Sequence, residues 1–438
     1  MQTLRIQTLG CSKNRVDSEH LLSRLESIYE ISPEGETSPV DFLLLNTCGF
    51  IGDAKEESIQ AILEAVELKK AGKAGKIYVF GCLSQRYMED MPGLIPEVDG
   101  WFGARGFDEI LETLGVDPKA PCKSSRVLTT PSHYAFLKVS EGCDRRCSYC
   151  AIPHIRGAHR SVPMEDLVHE AEMLALKGVR ELIVIAQDTT YYGLDLYRRR
   201  ALAELLEKLS AIDGIEWIRI HYSYPADFPD DVLEQMAHNP KVCPYMDIPL
   251  QHISDKVLDN MHRHVNGEWT RKLIRRMREK VPGVVLRTTM IVGHPGEGRK
   301  EFGELLDFVR EARFERLGAF CYSEEEGTWG AANLRDSVTP RTKRSRLERL
   351  MELQSGISLE FNRSRVGSVE KVIVDSFSDG VLVCRSRYES PEVDGEILVR
   401  YEPDAFGGAE PYSLVGDFIE VRITGADEYD LIAEPVSV

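Results

Sequence analysis

The chain has 438 residues, 54 of them Lys or Arg and 71 Asp or Glu, for a net charge of −17. That length exceeds what one hydrophobic core serves, so two or three domains are expected. The acidic balance argues against broad electrostatic binding to nucleic acid, though not against a local basic patch, and no apolar run approaches the roughly 18 residues of a membrane span.

Residues 1 to about 125 alternate strand and helix. Leu4–Thr8 reads as a short strand, Arg15–Ser27 as an amphipathic helix, and Asp41–Cys48 as a buried strand. A helix from Asp53 to Gly72 and a strand from Lys76 to Cys82 follow. Continuous apolar strands with short loops and intervening helices predict an open parallel sheet covered on both faces. Cys11, Cys48 and Cys82 each end a strand, and such positions converge on one crevice of a parallel sheet. They are candidate metal ligands; the bland alternative is three unrelated buried thiols. Val116–His133, rich in Pro, Ser and Thr, reads as a linker.

Residues 134 to about 360 continue the alternation. Strands are expected at Ala135–Val139, Glu181–Ala186, Trp217–Tyr222, Tyr245–Ile248, Val284–Val292 and Leu317–Tyr322. Helical patterns separate them, and Asp255–Val281 should break near Asn266-Gly267. Six such units predict a partial β/α barrel, whose active site belongs at the C-terminal ends of its strands. The loop after the first strand carries Cys143, Cys147 and Cys150, a Cys-x3-Cys-x2-Cys spacing. Thiolates this close select zinc or an iron–sulfur cluster. Zinc would need a fourth ligand such as His154; a four-iron cluster would keep one iron open. Gln187-Asp188-Thr189-Thr190, Gln251-His252 and Gly293-His294-Pro295-Gly296-Glu297 follow later strands and line the expected mouth. For His252, a structural role and a mouth-lining role stay equally open. A helix from Pro340 to Asn362 carries Arg341, Lys343, Arg344, Arg346 and Arg349, a charge run read as a solvated face, the alternative being that it helps hold an acidic partner or the following domain.

From about residue 363 short strands with turn signals predict a small antiparallel barrel: Glu370–Val374, Val381–Arg385, Glu396–Val399, Phe418–Ile423 and Leu431–Pro435. From Arg365 onward six basic residues face sixteen acidic ones, a net charge of −10. The turn holding Glu389, Glu392, Asp394 and Glu396 is the densest acidic patch and is expected to attract a basic protein. Ten cysteines suggest a disulfide framework only until their ligand spacing is weighed. With no signal-peptide pattern at the start, a reducing cytoplasm is expected. Cys122, Cys243, Cys321 and Cys384 have no partner at ligand spacing and read as incidental or structural thiols.

The Cys143-x3-Cys147-x2-Cys150 loop, with Tyr149 just before its last cysteine, resembles the signature of radical S-adenosylmethionine (SAM) enzymes. Leu9-Gly10-Cys11-Ser12-Lys13-Asn14, Asn46-Thr47-Cys48-Gly49-Phe50 and Gly81-Cys82-Leu83-Ser84-Gln85 resemble the N-terminal domain of methylthiotransferases, a branch of that family. The C-terminal module occupies the place of their TRAM domain. The resemblance implies three domains: 1–125 for an N-terminal cluster, 134–360 for the radical SAM core and 363–438 for a TRAM-like substrate-binding module. It implies two [4Fe-4S] clusters, held by Cys11, Cys48 and Cys82 and by Cys143, Cys147 and Cys150, with SAM as a further cofactor near Tyr149, Gln187, Gly293 and Pro295. No catalytic residue beyond the cluster ligands is assigned. His294 and Gly298 depart from the family's usual Gly-Phe-Pro-Gly-Glu-Thr.

Two substrate branches compete. Tyr388-Glu389-Ser390-Pro391-Glu392-Val393-Asp394-Gly395 and Phe320–Thr328 resemble the RimO-type branch, which methylthiolates the β-carbon of an aspartate in a small-subunit ribosomal protein. The acidic C-terminal module agrees with a basic protein partner and disfavours nucleic acid as the direct substrate. The alternatives are methylthiolation of isopentenyl-adenosine in transfer RNA and, more remotely, a non-catalytic iron–sulfur electron carrier. The enzyme reading also requires a one-electron reductant protein and no membrane.

Overall fold

The computed structural model describes residues 1–120 and 126–436. Cys122 and part of the expected linker lie outside the described residues. The first sheet is parallel throughout, in the order Glu30–Ile31, Thr3–Thr8, Val40–Thr47, Ala74–Gly81, Gly100–Trp101. Its two edge strands are two residues long each, too short to leave a periodic signal in the sequence. Apolar side chains pack on both faces, Leu4, Leu44 and Phe80 on one and Leu43, Leu45 and Val79 on the other. This is the doubly covered parallel layer that continuous apolar strands require.

The second sheet has six parallel strands, in the order Arg316–Cys321, Val285–Val292, Val242–Asp247, Trp217–Ile220, Glu181–Ile185, Tyr134–Lys138. It is an open partial barrel whose helices bury their apolar stripes in the largest core of the molecule. The expected long helix does break, into Asp255–Asn260 and Gly267–Lys280, where the Asn266 side chain caps the second piece by accepting from Trp269 N at 2.8 Å. Gly298 opens the helix Arg299–Ala312 without a side chain to cap it. Glu301 reaches back to accept from Gly298 N at 2.8 Å, which supplies the other half of a capping box.

The described part of the linker is irregular but packed. Arg126 is fully buried, donating to Glu19 Oε2 at 2.6 Å and Glu170 Oε1 at 3.0 Å. The basic helix, Pro340–Ser364, is likewise not merely solvated, since Lys343 and Arg346 are buried and Arg346 pairs with Glu297 at 2.7 Å.

The C-terminal five strands close into a barrel. All neighbours but one pair antiparallel; Ile397–Arg400 and Leu431–Pro435 run parallel. Topology demands this, because an odd number of strands cannot alternate direction all the way round a closed ring. The barrel sits on the N-terminal ends of the six-stranded sheet. Trp217, Cys243, Tyr245 and Val285 pack there against Ile373, Tyr388 and Phe418. Cys243 and Cys384 are fully buried, each packed into a core cluster, in keeping with the structural or incidental role expected of them.

For Glu389 and Asp394 the structure corrects the expectation that the acidic turn greets a basic partner, while Glu392 and Glu396 stay exposed. Glu389 is 1 % exposed and binds Arg316 at 2.9 Å and Arg365. Asp394 accepts from Tyr245 OH at 2.6 Å, and Glu392 from Tyr134 OH at 2.9 Å. Three carboxylates of this turn therefore clasp the small barrel to the large one. Sequence shows a dense charge run in the same way whether its counter-charges come from solvent, a partner or the chain itself.

Candidate active site

Each N-terminal cysteine stands just past a strand of the first sheet. Gly10 precedes Cys11 with φ +89°, a conformation that favours glycine. A Cβ on Gly10 would lie 2.6 Å from Cys48 Cβ and 2.8 Å from its Sγ, so glycine here lets two of the thiols approach. Side-chain amides hold the three loops together. Asn14 Nδ2 donates to Leu9 O at 2.9 Å and Thr47 O at 3.2 Å, while Asn46 Nδ2 donates to Asn14 O at 2.8 Å. Ser58 Oγ both accepts from Cys48 N at 3.0 Å and donates to Cys48 O at 2.8 Å.

The second triad lies on the loop after Tyr134–Lys138. Gly142 has φ +77°, and a Cβ there would meet Ala158 O at 2.2 Å. The close approach pairs Ser140–Glu141 with Arg160–Ser161 in a two-stranded ribbon that pins the loop's ends. Ser148 Oγ donates to Asn260 O at 2.6 Å, and Ser148 O accepts from Gly330 N at 2.6 Å. Arg263 is buried beneath the loop and donates to Cys147 Sγ at 3.4 Å and Pro249 O at 2.5 Å. Its neighbours His262 and His264 take φ of +55° and +56°, left-handed values that turn the chain sharply on either side of it.

Both triads open into one cavity of about 300 Å³, lined by Cys11, Cys48, Cys82, Cys143, Cys147 and Cys150. Larger open depressions elsewhere, such as one of about 760 Å³ at Asp255, His262 and Trp269, hold no cysteine. The cysteine cavity collects residues just beyond the C-terminal ends of strands from both sheets, including Gln187, Tyr222 and Gln251. Open parallel sheets and β/α barrels both bind ligands at that end, and here the two ends face each other.

Burial dominates the thiols. It pushes Cys48 up to about 12, with Cys11 and Cys82 adding to the effect, and Cys143 up to about 12. Burial also raises Cys82 and Cys150, opposed at Cys82 by Arg156. A bound metal reverses this logic by stabilising thiolate directly. Soft sulfur donors in two triads fit iron–sulfur clusters. Thiolates sharing one tetrahedral ion lie within about 4 Å of each other, given bonds of about 2.3 Å to zinc. Among the described residues no group of three or more His, Cys, Asp or Glu side chains is already arranged around a single ion.

A buried ion network joins the triads. Arg156 donates to Cys82 Sγ at 3.4 Å, Asn14 Oδ1 at 2.6 Å, Asp17 Oδ2 at 2.6 Å and Glu141 Oε2 at 3.2 Å. Burial alone would raise Glu141; Lys138 and Arg156 overcome it and hold the carboxyl at about 2. Glu141 in turn accepts from Gln187 Nε2 at 2.6 Å, which leaves Gln187 Oε1 buried and without a partner.

Of the four residues expected at SAM, Tyr149 and Gln187 line the cavity. Gly293 and Pro295 are not among its lining residues and are engaged elsewhere. Gly293 leaves room for Lys343, whose Cγ would lie 2.4 Å from an added Cβ, and Pro295 O accepts from Asn260 Nδ2 at 3.0 Å. His294 is fully buried, its ring edge-on to Tyr322 with centroids 4.8 Å apart, and burial lowers it to about 4. It thus serves as a neutral aromatic filler. His252 is also fully buried, accepting from Ser254 N at 3.0 Å, which favours its structural role. Arg145, Arg156, Tyr224 and Arg263 line the cavity without having been singled out in the sequence. An arginine carries no spacing signal of its own, because its partners come from distant loops.

Comparison with known proteins follows the same division of the chain. The radical SAM superfamily profile matches residues 137–309, a profile described as uncharacterized protein family UPF0004 matches 3–103, and the TRAM domain profile matches 366–436. The ribosomal protein uS12 methylthiotransferase RimO of Bacteroides fragilis is 49% identical over 434 residues, covering 99% of each chain. Its counterpart from Porphyromonas gingivalis is 50% identical over 430 residues, 98% of each. Among solved structures, the radical SAM methyltransferase TsrM of Kitasatospora setae aligns with a TM-score of 0.55 at 13% identity over 95% of this chain and 82% of that one, a likeness of fold.

Proposed function

Belonging to the RimO family of ribosomal protein uS12 methylthiotransferases, this chain is a radical SAM methylthiotransferase, and we propose that it methylthiolates the β-carbon of an aspartate in the small-subunit ribosomal protein uS12. The observation that carries the reading is the single cavity into which both cysteine triads open. Cys143, Cys147 and Cys150 would hold one [4Fe-4S] cluster and Cys11, Cys48 and Cys82 a second, with domains divided at 1–125, 134–360 and 363–438. Bound clusters and SAM supply a one-electron route to a C–H bond that no side-chain base can usefully deprotonate beside an ionised carboxylate.

The protein's own part is binding, orientation and exclusion of water. Glu141, kept ionised by Lys138 and Arg156, fixes the Gln187 amide so that its free carbonyl faces hydrogen-bond donors of a ligand. Arg263 steadies Cys147 and Arg156 steadies Cys82 through N–H to sulfur contacts. Phe50, Ile152, Tyr224 and Pro249 give the cavity apolar walls. Among the described residues no helix is long and apolar enough to cross a membrane. We separately propose that the chain works in the cytoplasm beside a one-electron reductant protein.

The test is anaerobic reconstitution followed by mass spectrometry of uS12. Wild-type protein should hold about eight irons, and replacing either triad by alanine should leave about four. Loss of Cys143, Cys147 and Cys150 should abolish SAM cleavage. Loss of Cys11, Cys48 and Cys82 should spare it and abolish methylthiolation. Modification of transfer RNA in place of uS12 would refute the substrate, and full iron in the second variant would refute the N-terminal site.

A further inference from the structure

Four cations line the cysteine cavity, and no carboxylate does. In a chain of net charge −17 that concentration belongs to this site. Three of the four are committed. Arg145 pairs with Asp188 at 2.7 Å, Arg156 with Asp17 at 2.6 Å, and Arg263 donates to Cys147 Sγ at 3.4 Å.

Lys13 differs. It is 8 % exposed, and its ammonium lies 2.9 Å from the centroid of the Tyr222 ring. No carboxylate among the described residues pairs with it. The ring is held under it by strained backbone: Tyr222 has φ +60°, and its N–H donates to Asp247 Oδ2 at 3.0 Å. A charge withdrawn from water without a counter-charge is costly, and an aromatic face offsets only part of that cost. Such an arrangement is stable in use when the ligand brings the missing charge.

We infer that Lys13 is the receptor for the carboxylate of the substrate side chain. The inference rests on the reading above and deepens it, naming the residue that selects an acidic side chain over a neutral one. Lys13 follows Cys11 by two residues and shares the cavity with both triads. A carboxylate bound there would hold its neighbouring carbon within the cavity that both triads line. Nucleobases carry no carboxylate, so the same lysine also works against a nucleoside occupant.

The experiment measures binding of reconstituted holoenzyme to uS12 and to uS12 with its target aspartate changed to Asn, at matched iron content. Wild type should prefer the aspartate form by about ten- to a hundredfold, the worth of a hydrogen-bonded charge in a partly buried site. K13M should bring the two affinities together, and K13R should keep most of the preference. A merely structural lysine would weaken both forms alike and leave their ratio unchanged. K13Q, which keeps a polar tip, repeats the comparison should Met disturb folding. Preference persisting in both K13M and K13Q overturns the role of Lys13 alone. Equal binding of the two forms by wild type overturns the carboxylate site, whereas failure of the same holoenzyme to methylthiolate uS12 by mass spectrometry would overturn the functional reading instead.

Discussion

Glu389 offers the sharpest quantitative test of how the molecule is assembled. Its carboxylate is 1 % exposed and lies between the small barrel and the large one. Arg316 donates to it at 2.9 Å, Arg365 donates as well, and Ser386 contributes its N–H at 3.1 Å and hydroxyl at 2.6 Å. Burial would raise this carboxyl; Arg365 and Arg316 prevail and hold it at about 2, against an ordinary value of 4.5. At 1.36 kcal/mol per pH unit the difference corresponds to about 3 kcal/mol of stability. Removing one partner of a buried ion pair independently costs about 3–5 kcal/mol, so E389A should lose roughly that amount. Because the folded value is depressed, this stability is fully present above pH 4.5 and is lost as pH falls toward 2. Trp217 packs edge-on against Phe418 across the same seam, with centroids 4.7 Å apart, and its fluorescence reports separation. Urea titrations of metal-free protein at pH 7 and pH 3 give the needed difference. E389Q should flatten the acid dependence relative to wild type, which isolates this carboxylate from others that titrate in the same range. A loss below about 1 kcal/mol at pH 7, or an unchanged acid limb in E389Q, would refute the clasp.

Two further outcomes are expected. G10A forces a side chain into φ +89° and against the Cys48 sulfur. Backbone strain of this kind costs about 1–3 kcal/mol, so iron analysis should show loss at the N-terminal triad with the other triad retained. R156A removes a guanidinium, 2 % exposed, that joins Cys82 and Asp17 to Glu141. Its urea midpoint should fall by the equivalent of about 3–5 kcal/mol, and R156K should recover only part because one ammonium cannot reproduce the fork.

The strand–helix alternation and the cysteine positions were readable because both are local. Apolar runs such as Asp41–Cys48 declare a buried parallel strand, and strand ends in a parallel sheet have one direction to face. That the two triads share a cavity was not readable, because it depends on how two sheets turn their C-terminal ends toward each other. The joints that achieve this are ion networks of long sequence separation. Arg156 reaches back to Asp17 and Asn14, and a separate network of the same kind, Glu389 with Arg316 and Arg365, holds the small barrel to the large one. Charge carries no periodicity, so a buried joint and a solvated face look the same in one dimension.

That ambiguity explains why the acidic turn pointed the wrong way while Lys13 stayed silent. Glu389, Glu392 and Asp394 looked like a surface for a partner because they are dense, yet their counter-charges and hydrogen-bond donors lie within the chain. Lys13 looked ordinary because it is single, yet its ammonium lies over the Tyr222 ring in the shared cavity, and among the described residues no carboxylate pairs with it. Once the internal pairs are assigned, the charge that is left over marks where a ligand must complete the structure, and here that charge lines the cavity that both sets of thiols share.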